Sequence, residues 1–181
     1  MSTSTHLITY EESLTMPESN LEEVIDGELF TMPPATKHHS TLIRALQRLF
    51  DRQMRPTVDL TWGTGFLLRR EPLRYRIPDL AVVDNIAWKS DLRTTVDPYS
   101  RVVPELVIEV ISPANRKGAV QRLLQNYAEF GIPEVLLFHP ENRTYESYRG
   151  LTLAETAQMG AVSPQTMPEV AIDLDQLWTE F

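Results

Sequence analysis

Apolar residues along the chain change period several times, and each change marks an element. Leu21, Val24 and Ile25, then Leu29, Phe30 and Met32, flank Asp26-Gly27. Asp-Gly between two short apolar runs is the two-residue turn that closes a tight β-hairpin. Pro33-Pro34 ends that unit. From Lys37 to Met54 the spacing becomes helical: Leu42, Ile43, Leu46, Leu49 and Phe50 share a stripe, with Arg44, Arg48, Arg52 and Arg55 opposite. His39 falls on the apolar stripe, in the first turn.

Residues 57–84 read as strands broken by polar turns: Thr57–Trp62, Gly65–Arg70 and Leu73–Val83. Proline lacks the N–H that a central ladder needs, so Pro78 predicts an irregularity where Asp79 enters the run Leu80-Ala81-Val82-Val83. Residues 85–103 read as a loop with at most one short helical turn. Leu106, Val107, Ile108, Val110 and Ile111 then form an apolar run without alternation, the signature of a strand covered on both faces. A helix follows over 116–130, with Val120, Leu123, Leu124 and Tyr127 inward and Gly131 as its C-cap. Glu134–Phe138 is a further buried strand, and Arg143–Tyr148 one arm of a peripheral pair. The tail from Val170 to Trp178 is expected to pack back on the body. Strand, helix, strand over 105–138 is a crossover unit, which places its strands parallel in one sheet. The fold class is therefore α/β: a mixed sheet flanked by helices, with an N-terminal β-hairpin. We read residues 1–16 as a polar lead-in and 17–181 as a single domain.

The pattern leaves two acids in apolar strands, Asp79 and Glu109. An ionised carboxylate there is costly unless paired, hydrogen-bonded or metal-bound. Two carboxylates converging from neighbouring strands suit a hard divalent cation held through oxygen. Strand-end acids that face solvent or meet arginines would read the same way in sequence. His39 is by spacing either a core or capping residue or a site residue.

Composition narrows the function classes. The chain has no cysteine, which excludes disulfides and thiolate chemistry. No apolar run approaches the ~18–20 residues of a membrane helix, and MSTSTHLITYEES lacks the basic start and apolar block of a secretory signal. A cytoplasmic location is expected. The net charge of −8 argues against nucleic-acid binding by the whole surface. The charge is unevenly spread, however: residues 37–76 carry nine bases against three acids, between acidic ends. Arg44, Arg48, Arg52, Arg55, Arg69, Arg70, Arg74 and Arg76 are candidates for a phosphate-contacting surface, or for ordinary solvated faces.

Several motifs occur together in an order that resembles the Uma restriction-endonuclease family of the PD-(D/E)xK nuclease superfamily. They are LEEVIDGELFTMPPATKHH, YRIPDLAVV, VPELVIEVISPANR and NYAEFGIPEVLLFHPENRTYESYRG, and the similarity runs from about Leu21 to Trp178. The resemblance implies a restriction-endonuclease-like fold and hydrolysis of DNA phosphodiesters with Mg²⁺, Mn²⁺ being possible in its place. Residue by residue it implies Asp79 and Glu109 as metal-binding catalytic carboxylates, Glu23 as an acid lining the same site, His39 as the histidine opening the first helix, and Arg116 as the arginine after the Ser-Pro turn. One departure is conspicuous. The superfamily lysine two residues past the glutamate is Ile111 here, and the lysine that the family supplies from the next helix is Leu123, with Ala119 one turn earlier where an acid is common. Three functions therefore stand. The first is a Mg²⁺-dependent endonuclease. The second is a catalytically degraded relative that binds nucleic acid or protein. The third, disfavoured by the motif order, is an unrelated metal-dependent hydrolase or sugar-processing enzyme using paired acids. A homodimer is expected because two-fold assemblies are the commonest soluble oligomers.

Overall fold

The computed structural model describes residues 6–17, 19, 21–32, 34–94, 97–112 and 117–180. Its frame is a six-stranded sheet of order β10-β9-β8-β7-β6-β3, beside a four-stranded sheet of order β2-β1-β5-β4. After a short helix α1 (Tyr10–Ser13), β1 (Glu22–Ile25) and β2 (Glu28–Thr31) form the expected hairpin. Asp26 and Gly27 take φ of 56° and 84°, the left-handed pair that a tight hairpin turn demands.

Helix α2 (Lys37–Gln53) begins where Thr36 accepts a hydrogen bond from His39 N–H. Leu42, Leu46 and Phe50 fill its inner stripe. β3 (Val58–Thr61) and β4 (Phe66–Arg69) follow as anticipated. The long strand expected over Leu73–Val83 is two strands in two different sheets, β5 (Arg74–Arg76) and β6 (Leu80–Asp84). Ile77-Pro78-Asp79 is the crossing between them, because Pro78 has no N–H with which to continue a ladder.

The expected loop after β6 also differs: Asn85–Thr94 is a ten-residue helix, α3. Its start is fixed by Asp84, whose carboxylate accepts from the N–H groups of Ile86 and Ala87. None of its residues is fully buried, so it has no strong apolar stripe to announce it.

β7 (Leu106–Val110), α4 (Lys117–Phe130) and β8 (Val135–His139) form the crossover, with β7 and β8 parallel as predicted. β9 (Thr144–Arg149) and β10 (Thr152–Ala157) complete the sheet on one side. The C-terminal segment holds the pair β11 (Ala161–Val162) and β12 (Ile172–Asp173), then α5 (Leu174–Trp178).

Alternation along β6 and β7 separates two cores. Leu80, Val82, Leu106, Ile108 and Val110 face α2 and the returning tail, where Val170, Ile172, Leu174, Leu177 and Trp178 are buried as expected. Ala81, Val83, Val107 and Ile111 face α4, with Leu124 and Tyr127. Glu109 shares the parity of the second set. It points under α4, not into solvent, and that placement defines the site.

Candidate active site at the β6–β7 end

Antiparallel pairing sets Leu80 opposite Ile108, so Asp79 enters beside Glu109 and Val110. Val110 N–H donates to Asp79 Oδ2 at 2.8 Å, which ties the carboxylate to the neighbouring strand. His39 Nε2 lies 3.2 Å from the same oxygen, so the first turn of α2 reaches round the sheet end to Asp79. That hydrogen bond outweighs burial and raises the His39 pKa. The other ring nitrogen, Nδ1, is buried and without a hydrogen-bond partner among the described residues.

Glu109 is buried and accepts from the Tyr127 hydroxyl on α4. Desolvation, followed by the nearby Asp79 carboxylate, pushes its carboxyl well above the usual range; Glu23 adds to this, and Tyr127 and Arg76 oppose it. Burial, and then the Glu109 charge, raise the Tyr127 hydroxyl in turn.

Glu23 comes from the other sheet, on β1. It accepts from Arg76 Nη1 at 2.8 Å and from Ile77 N–H at 2.9 Å. Burial still wins and holds its carboxyl above the ordinary value, with Asp79 contributing. Arg76 is itself buried, donates through Nε to Asn126 at 3.0 Å, and sits 6.0 Å from the centre of the Tyr127 ring. The site is thus three carboxylates, one of them paired with a buried guanidinium that also acts on Glu109, with a histidine at the rim.

Of the residues singled out from sequence, Asp79, Glu109, Glu23 and His39 are brought together. Arg116 lies outside the described residues. Leu123 packs in the apolar cluster under α4, beside Val120 and Phe130, so no helix cation occupies that face at this position. Arg122 lies over the ring of Phe30, 4.8 Å from its centre, and Phe30 is the strand partner of Glu23 in the hairpin. Among the described residues, no group of three or more His, Asp or Glu is close enough to form a ready-made metal cage.

Sequence reasoning missed Arg76, Asn126 and the role of Tyr127. In sequence Arg76 reads only as one of eight arginines of a phosphate-contacting surface or of ordinary solvated faces, and six of these eight form ion pairs within the chain. Arg55 pairs with Glu105 and Glu169, Arg69 with Asp26, and Arg70 with Glu11. Arg74 pairs with Asp26 and Glu129, Arg76 with Glu23, and Arg48 with Glu180. These guanidiniums neutralise the chain's own acids. A signal for Tyr127 was present: a tyrosine on a buried stripe needs a partner for its hydroxyl.

A mixed sheet with acids gathered at one end and helices on both faces is a nuclease-like fold. The protein belongs to the family described as "Putative restriction endonuclease" (Uma2), whose profile matches residues 9–175. Its fold is shared by a crystal structure from Anabaena variabilis described as "a putative nuclease belonging to DUF820". That structure superimposes with a TM-score of 0.81 at 18% sequence identity, covering 96% of this chain and 98% of the other. No curated protein matches the sequence. No helix among the described residues is long and apolar enough to cross a membrane.

Proposed function

We propose that the protein is a divalent-cation-dependent DNA endonuclease whose site is Asp79, Glu109, Glu23, His39 and Arg76. The observation that carries this reading is the convergence of Asp79 and Glu109 from adjacent strands, with Val110 N–H donating to Asp79 at 2.8 Å and the Tyr127 hydroxyl donating to the buried Glu109. So much carboxylate in one buried place is costly unless a cation shares it. The donor set fits Mg²⁺ or Mn²⁺: all oxygen, from two adjacent strands, with room in the ion's shell for the waters that Mg²⁺ keeps. Asp79 and Glu109 would hold the ion, which when bound lowers the pKa of water and offsets charge at the phosphodiester.

The chain's own groups do the rest. Val110 N–H and His39 fix Asp79 through one oxygen, Oδ2, and leave Oδ1 for a ligand. The Tyr127 hydroxyl orients Glu109 through Oε1 in the same way. His39 is positioned to hold a proton at the rim, and its partnership with Asp79 favours the charged form. Arg76 supplies the permanent positive charge that Leu123 cannot, although Glu23 and Asn126 already engage it. Arginine stays protonated, so its part is electrostatic and not that of a base.

The test is a cleavage assay on single-stranded, duplex and nicked DNA with Mg²⁺ or Mn²⁺, run beside Asp79→Ala. Metal-dependent cutting that the substitution abolishes supports the assignment. Equal cutting by Asp79→Ala sinks it.

A second reading is favoured by Leu123, which is part of an apolar cluster where the family supplies a lysine. On this reading the protein keeps the fold and binds nucleic acid or protein without turnover. Unmodified protein then cuts no DNA form, and Leu123→Lys, with Ala119→Asp, gains metal-dependent cleavage. Cleavage by the unmodified chain refutes it.

A further inference from the structure

Arg122 is a cation beside the carboxylates that the chain's own acids do not neutralise. Arg74 and Arg76, buried on the neighbouring strand β5, each close an ion pair with a carboxylate. Arg122 is exposed on α4 and has no carboxylate partner among the described residues; its guanidinium meets the Phe30 ring instead. Phe30 in turn is half-buried and belongs to none of the three apolar clusters among the described residues. The ring's partner is the arginine, not a core.

Two elements place this pair at the candidate site. On the hairpin, Phe30 is directly opposite Glu23, so both side chains leave the same face of the strand pair. On α4, Arg122 is four residues before Asn126 and shares its face, and Asn126 accepts from the same Arg76 that holds Glu23. Arg122 and Phe30 thus meet next to the Glu23–Arg76 pair, whose charges act on Glu109. The crossover fixes the direction. β7 and β8 are parallel, so α4 runs back from the end of β7, and Arg122 stands about 6 Å nearer that end than Asn126. It is the end at which Val110 N–H meets Asp79.

A DNA strand approaching Asp79, Glu109 and Glu23 brings negative charge to negative charge. Arg76 is buried with Nη1 and Nε engaged, so it answers the carboxylates from within. Arg122 faces the same region from the solvent side. Contact with a ring occupies the face of a guanidinium, while its five N–H groups lie in the plane and point outward at the edge. A guanidinium seated in this way offers its donors without first ordering a long flexible side chain.

We propose that Arg122, seated on Phe30, hydrogen-bonds a backbone phosphate of the DNA strand that enters the Asp79–Glu109 site. This rests on the nuclease reading above and adds a substrate-binding residue to it. A phosphate contact positions the strand and reads no base.

The test follows the fluorescence anisotropy of a labelled DNA, single-stranded and as blunt duplex, with chelator present so that nothing is cut. Affinity is measured between about 50 and 200 mM salt, where one phosphate contact contributes about 0.9 to the salt slope of a duplex and about 0.7 to that of a single strand. Arg122→Gln should lower each slope by one such contact and weaken binding about 5- to 8-fold near 0.1 M salt, while Arg122→Lys keeps the slopes. Phe30→Leu should weaken binding in the wild-type background and add nothing to Arg122→Gln; a further loss there overturns the seat. Unchanged slopes in Arg122→Gln overturn the contact, and a lowered Tm with those unchanged slopes marks the pair as packing alone. If Asp79-dependent cleavage persists in that case, the nuclease reading survives it. A wild type that binds with the Arg122-dependent slope but cuts no DNA form keeps the contact and overturns the nuclease reading. A wild type that neither binds nor cuts any DNA overturns both.

Discussion

Replacing Arg76 by methionine isolates the electrostatic centre of the site. The Arg76–Glu23 pair is closed at 2.8 Å, and both side chains are only 6% exposed. At an effective dielectric of ~20 the direct attraction is about 6 kcal/mol, a gross figure offset by the desolvation of both ions. Removing the cation leaves the Glu23 carboxylate buried beside Asp79 and Glu109, and leaves Asn126 without the Nε donor. Breaking a buried pair on one side costs about 3–5 kcal/mol. For a domain of this size that lowers Tm by about 6–20 °C. Urea denaturation followed by far-ultraviolet circular dichroism gives the free energy directly.

The loss must also depend on pH. Glu23 already has a folded pKa above its unfolded one, so its contribution favours folding at low pH and is lost as pH rises through the folded value. Arg76 opposes that loss. Arg76→Met should therefore lie closest to wild type near pH 4, where Glu23 is largely protonated, and furthest from it at neutral pH. The double replacement Arg76→Met with Glu23→Leu should recover most of the stability, because it leaves no stranded charge. A cost below about 1 kcal/mol at pH 7, or a double variant no better than the single, would refute the reasoning.

Glu109→Gln should stabilise the metal-free protein by about 0.5–2 kcal/mol, the usual size of a stabilising substitution, while abolishing metal-dependent cleavage. The amide still accepts from Tyr127 and removes a charge that burial and Asp79 oppose, which a thermal melt in chelator reads as a higher Tm. The gain should fade as pH falls, because the wild-type carboxyl is then protonated without cost. Thr36→Ala removes the oxygen that accepts from His39 N–H at 3.2 Å and should cost about 1 kcal/mol in chemical denaturation. Because that turn also carries His39, cleavage in the variant should fall along with stability.

The Asp-Gly turn, the α2 stripe and the β7–α4–β8 crossover were legible because each depends on neighbours in the chain. A two-residue turn needs residues that tolerate positive φ, a 3.6-residue period marks one helix face, and a run apolar on both parities marks a strand between layers. Asp79 and Glu109 stood out for the same reason, as charges inside local apolar runs. α3 was not legible, since its N-cap, Asp84, belongs to the preceding strand and its residues have no buried stripe.

The pairing of charges was decided by the tertiary structure alone. Arg74 and Arg76 look in sequence like solvated edge charges, and Glu23 like an acid at the start of a hairpin. Both arginines are buried, and Arg76 is paired with the equally buried Glu23, because Pro78 carries the chain from one sheet to the other. That crossing brings β5 beside β1 and sets Asp79 beside Glu109. Electrostatic energy depends on distance and burial, which a linear pattern does not contain. The carboxylates of the candidate site could thus be read from the sequence, while the cation that balances them could be read only from the fold.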